Sequence, residues 1–145
     1  MKIKQGGFTL IELIITMAVM AIIAMIAAPS LANMLSQQNL NKSSRELAAI
    51  LSQARSKAAI ERREVTVQLG STAVNDDDTL NWAPQGDSIL ITPITSIVFL
   101  PTGLVGNAVG DTVFTICDST SNPRNSRTVS ISRMGTIQTP VEGAC

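Results

Sequence analysis

The sequence predicts an α+β protein in which one long N-terminal α-helix packs on antiparallel β-sheet. Three observations carry that prediction. The first sixty or so of 145 residues read with a helical period. The remainder alternates with a period of two between turn residues rich in Gly, Pro, Asn and Asp. The change occurs at one place, just after Arg63.

The helix begins with an apolar run. Lys2 and Lys4 precede Gly6-Gly7-Phe8-Thr9-Leu10-Ile11-Glu12, and no further charge follows until after Pro29. Phe8 to Ala28 is 21 residues, which as a helix spans roughly 32 Å, about one bilayer hydrocarbon core. Its single charge, Glu12, is costly in hydrocarbon unless paired, and so marks a functional position. A cleavable secretory signal fits less well, because the apolar core is long and Ser30-Leu31-Ala32 lies beyond Pro29. A plain single-span anchor accounts for the lysines and the length but not for Glu12 beside the Gly-Phe junction.

Pro29 removes a backbone donor, and with Asn33, Asn39 and Asn41 it makes 29–42 the softest part of the helix. A kink is expected at Pro29. From Leu40 the pattern is amphipathic. Leu40, Ser44, Leu47, Leu51, Ala54 and Ala58 recur at steps of three and four and form one stripe. The helix is expected to run from Phe8 to about Arg63.

Val65, Val67 and Leu69 alternate with Thr66 and Gln68 as a strand ended by Gly70-Ser71. Asn75 to Asp78 is a polar loop. Ser88–Thr92 and Ser96–Leu100 are strand candidates, and Pro101-Thr102-Gly103 is a turn. Thr112–Cys117 and Arg127–Arg133 are strands, the second with Val129 and Ile131 inward. Asp118–Ser126 is a loop, and Gly135–Thr139 pairs back as a last hairpin arm. With three Phe, one Trp and no Tyr, the core is aliphatic and modest.

Composition narrows the function. Lys+Arg and Asp+Glu are each 11, so bulk charge gives no reason to expect nucleic-acid binding. There is no His, which removes His-based catalysis and His metal sites. No nucleophile–base pair or phosphate loop is visible, so no enzyme is expected. Asp76-Asp77-Asp78 lacks the spacing and terminal glutamate of a calcium loop, and neither metal nor other cofactor is expected. Inserted with Lys2 and Lys4 inside, the chain places Cys117 and Cys145 outside the cytoplasm. Two cysteines there favour a bridge over two free thiols. Its loop of about 29 residues would contribute roughly 3–4 kcal/mol in the chain-entropy model.

The run Gly7 to Glu12, G-F-T-L-I-E, closely resembles the class III leader and N-terminal helix of type IV pilins and type II secretion pseudopilins. The resemblance implies a pilin-like fold and four segments: leader 1–7, transmembrane and assembly helix 8–28, amphipathic continuation 29–63, and β region 64–145. It implies a prepilin peptidase that cuts between Gly7 and Phe8, N-methylation of Phe8, and pairing of Glu12 with the terminal amine of a neighbouring subunit. Glu12 and Pro29 are then assembly residues. Losing the leader leaves nine basic against eleven acidic side chains.

Leu51 to Val67 reads L-x-x-A-R-S-x-A-x-x-x-R-x-x-V-x-V and is similar to the signature of FimT/FimU minor pilins and GspH minor pseudopilins. Asn81-Trp82 with Gly86, Ile97-Val98-Phe99 with Gly103, Phe114 to Cys117 and Arg127 to Gly135 follow the family order. The resemblance implies a minor pilin that helps initiate a type IV pilus or sits near its tip. The alternatives are a GspH-like pseudopilin of type II secretion and a pilus-tip DNA receptor. Partners would be other major and minor pilins, the prepilin peptidase, and the inner membrane before assembly. The β region would be periplasmic, and the mature chain would end in a filament. DNA-uptake FimT proteins carry Gly-Arg-x-Arg, where this chain reads Gly135-Thr136-Ile137-Gln138. Arg124, Arg127 and Arg133 offer only weak, salt-sensitive nucleic-acid contacts, and a charged strand edge is the favoured reading.

Overall fold

The computed structural model describes residues 8–106, 108, 110–119 and 123–145. The chain divides into two units, Met1–Leu35 and Ser36–Cys145, with the boundary inside helix α1, Leu10–Glu61. Thr9 caps α1: its Oγ1 accepts the Glu12 N–H at 3.3 Å and its carbonyl accepts the Leu13 N–H at 3.2 Å. At the other end Arg62 takes a left-handed φ of 52° and ends the helix. Arg63 then bonds Glu61, the Asp78 carboxylate and the Asp77 carbonyl. The helix bounds differ from the expected Phe8–Arg63 by two residues at each end. Pro29 lies within them.

In the second unit α1 buries Leu40, Ser43, Ser44, Leu47, Leu51, Ala54 and Ala58, the expected stripe with Ser43 added. Ser43 Oγ donates to the Asn39 carbonyl and accepts the Gln85 N–H at 2.8 Å, so a hydroxyl inside the stripe is fully used.

Seven strands follow: β1 (Val65–Leu69), β2 (Thr79–Trp82), β3 (Ile89–Leu90), β4 (Ser96–Phe99), β5 (Thr112–Cys117), β6 (Asn125–Ile131) and β7 (Val141–Ala144). They form one sheet in the order β2-β1-β4 and a second in the order β3-β5-β6-β7. All pairs are antiparallel except β1 with β2, which run parallel. Thr79–Trp82 and Val141–Ala144 did not read as strands in the sequence. Gly135–Thr139 does pair back on β6, through an Ile131–Ile137 bridge and a bond from Gln138 N–H to Ser130 O.

The alternating strands turn Val65, Val67, Ile97, Phe99, Phe114, Ile116, Val129 and Ile131 into one core with the α1 stripe. Two hairpin tips meet beside it. Gly103 N–H bonds Leu100 O, and Gly135 N–H bonds Ser132 O, each at 2.8 Å. Both glycines have φ of +77°, the left-handed position of a three-residue hairpin turn. One tip belongs to each sheet, and Val105 N–H donates to Arg133 O between them. Arg55 from α1 lies over both glycines and donates to Met134 O at 3.3 Å. The arginine of the A-R-S signature therefore ties the helix to the junction of the two sheets.

Candidate functional site

The first unit presents a bare apolar helix. Every residue from Phe8 to Leu35 is exposed, Phe8 at 83% and Leu10 at 77%. By length and composition α1 can cross a membrane. Glu12 is the acidic residue of its first turn, and its backbone N–H is held by Thr9. The carboxylate thus sits at the positive end of the helix, where backbone dipoles favour an anion. Thr9 is a position that the sequence reading passed over. The signal was present, since Thr-x-x-Glu is the pattern of a capping box. Gly7 lies outside the described residues.

In the second unit Cys117 and Cys145 are bridged, with Cα atoms 6.1 Å apart. The bridge joins β5 to the residue after β7 across β6. Asp118, beside it, accepts the Arg124 N–H at 2.9 Å, the Asn125 N–H at 3.2 Å and the Asn125 side-chain amide at 2.8 Å. Burial pushes this carboxyl up, and those hydrogen bonds outweigh it, so the group is held below the ordinary aspartate value. The Asp118 carbonyl accepts the Ser36 hydroxyl at 3.0 Å.

The three arginines near the C-terminal strands are not gathered into one patch. Arg124 and Arg133 are exposed beyond opposite ends of β6, roughly 25–30 Å apart along an extended strand. Arg127 is turned inward, its side chain 14% exposed. It donates to Asn41 Oδ1 at 2.8 Å, to Ser126 O at 3.1 Å and to Glu142 Oε1 at 2.7 Å. Its charge is spent on fastening α1 and β7 to β6. At the separation of the other two, screening in physiological salt leaves little cooperation between them.

The acidic loop has a local use. Asp76 accepts the N–H groups of Asp78 and Thr79, which hold its carboxyl below the ordinary value, while Asp78 pairs with Arg63. No cluster of three or more metal-ligating side chains occurs among the described residues.

The prokaryotic N-terminal methylation motif matches residues 2–28. The type II transport protein GspH family matches residues 43–135. No curated protein matches by sequence. Two crystal structures of the type IV minor pilin FimU from Pseudomonas aeruginosa are similar. One is 22% identical with a TM-score of 0.51, covering 71% of this chain and 89% of that one. The other is 25% identical with a TM-score of 0.47, covering 68% and 90%. The first of these shares the fold, a long N-terminal helix on β-sheets. With that fold, a capped apolar helix that begins within the methylation motif, and a GspH match over most of its length, this chain belongs to the GspH family.

Proposed function

We propose that this chain is a minor pilin, a structural subunit rather than a catalyst, that helps start a type IV pilus or sits near its tip. The observation that carries the reading is the first unit. A helix exposed from Leu10 to Leu35, with one carboxylate in its capped first turn, needs a membrane or other apolar helices around it. The leader is cut between Gly7 and Phe8, and Phe8 is methylated. Lys2 and Lys4 leave with the leader, so the cation that neutralises Glu12 in a filament is the terminal amine of Phe8 in another copy or its counterpart in another pilin. Before assembly the β region lies in the periplasm and the helix spans the inner membrane. The similarity to FimU, itself a type IV minor pilin, supports this reading.

The second reading, after the description of the matched family, is a minor pseudopilin of type II secretion. Co-purification with the minor pilins of the pilus or with the pseudopilins of the secretion system separates the two.

Mass spectrometry of filament-associated protein tests the proposal. The expected N terminus is methylated Phe8; a start after Ala32, or retained Met1, defeats it. Glu12→Gln keeps the shape and removes the charge. This variant is expected to insert, to be cut and to fold, and to be depleted from sheared filaments. Normal incorporation would reduce Glu12 to a tolerated polar residue.

A further inference from the structure

We propose that Thr9 is a positioning residue for removal of the leader: its hydroxyl stops α1 short of the Gly7–Phe8 bond and keeps the Gly7 carbonyl out of the helical ladder. The inference rests on the pilin reading, because it takes that bond as the one cut.

Hydrolysis needs a carbonyl that can be attacked. Water adds across the Gly7–Phe8 bond. Its oxygen goes to the Gly7 carbonyl carbon, leaving a carboxylate on the leader, and its two protons end on the departing Phe8 nitrogen as the new terminal ammonium. A helix opposes this step. It coils the backbone, and it gives each carbonyl the N–H of the residue four places on. For Gly7 that donor would be the Ile11 N–H.

The helix in this chain starts too late to make that bond. Phe8 and Thr9 precede α1, which begins at Leu10, and Phe8 is 83% exposed. The ladder opens with the Leu13 N–H on Thr9 O at 3.2 Å. In a longer helix the Glu12 N–H would bond Phe8 O. It goes instead to Thr9 Oγ1 at 3.3 Å. The hydroxyl thus takes the donor with which the helix would grow backwards.

Without that acceptor the sequence favours a start at Gly7. A helix that begins at a membrane surface must satisfy its first N–H groups, and lipid offers no acceptor in place of water. Phe8 has no side-chain acceptor and makes a poor cap, whereas glycine caps about as well as threonine. Only the middling helix propensities of Phe8 and Thr9 oppose the slip by two residues. The carbonyl of a capping residue takes the first helical bond. A start at Gly7 therefore sets the Ile11 N–H on the carbonyl that hydrolysis must reach.

Two substitutions separate the hydrogen bond from the shape. Thr9→Val keeps the shape and removes the acceptor; Thr9→Asn keeps an acceptor and changes the shape. The full chain in detergent micelles is treated with prepilin peptidase, and loss of the leader is followed by mass spectrometry. Thr9→Val is expected to raise the apparent KM by up to about fivefold, the equilibrium factor of a typical cap. Its kcat should be unchanged, because only the uncoiled fraction binds. Thr9→Asn is expected to match wild type. In the same micelles the Ile11 amide is expected to exchange more slowly in Thr9→Val than in wild type. An unchanged KM, or unchanged Ile11 exchange, in Thr9→Val overturns the proposal. A fall in kcat alone overturns it too, as does a Thr9→Asn chain as impaired as Thr9→Val, since the peptidase would then be reading the threonine itself. A wild-type chain left uncut is a different failure: it defeats the pilin reading, and this inference with it.

Discussion

Replacing Gly135 by Ala, with Gly70→Ala as its reference, measures the junction of the two sheets. Both glycines have a left-handed φ, +77° and +74°. A Cβ at Gly70 meets nothing within 4 Å, so that variant reports conformational strain alone. The strain costs about 1–2 kcal/mol, and reduced unfolded-state freedom offsets about 0.4–1 kcal/mol of it. Gly70→Ala should therefore destabilise by roughly 1 kcal/mol. At Gly135 the same Cβ overlaps the Gly103 carbonyl oxygen and comes within 2.9 Å of Arg55 Nε. The first neighbour is backbone of the other hairpin tip and cannot swing aside. Overpacking of this kind costs about 1–3 kcal/mol, and moving Arg55 weakens a charged bond to Met134 O worth about 1.5 kcal/mol. The expected total is roughly 3–5 kcal/mol. Urea unfolding of Ser36–Cys145, which contains every buried core residue, gives both values. A difference between the variants below about 1 kcal/mol would refute the claim that the two tips and Arg55 form one packed junction.

Three further outcomes follow from the second unit. Non-reducing peptide mapping should recover the Cys117–Cys145 bridge, and Cys117→Ser should destabilise by about 2–5 kcal/mol in urea; unchanged unfolding would mean that the bridge is redundant with the β6–β7 ladder. Asp118 is held below its unfolded value, so its contribution is complete above the ordinary aspartate pKa and is lost as the pH falls through the folded one. Asp118→Asn should therefore be less stable than wild type at neutral pH, with the gap closing in acid; an equal gap at both would contradict the assignment. Ser43→Ala leaves the Gln85 N–H without its buried acceptor and should cost about 1–3 kcal/mol by thermal unfolding.

The features legible in the sequence are those set by near neighbours along the chain. The α1 stripe from Leu40 to Ala58 was readable because a helix returns to the same face every three to four residues. The strands β1, β4 and β5 were readable because alternate side chains share a face, and Val65, Val67 and Leu69 are buried as that rule requires. The apolar run with Glu12 was equally plain, since length and charge are properties of the segment itself. Both cysteines were visible, and their number and predicted compartment favoured the bridge.

The tertiary structure decided whatever depends on a distant partner. Thr79–Trp82 is a strand because β1 offers it an edge, and Val141–Ala144, with no buried residue, is a strand because β6 does. Arg127 looked like a surface charge until β6 set it opposite Asn41 and Glu142, 86 and 15 residues away in the chain. Arg55 touches Gly103 and Gly135 only after two sheets have folded around one helix. Local pattern determines which face of an element is apolar. It carries no record of which distant edge or turn that element will meet, because such contacts form only when the separate apolar faces are buried together.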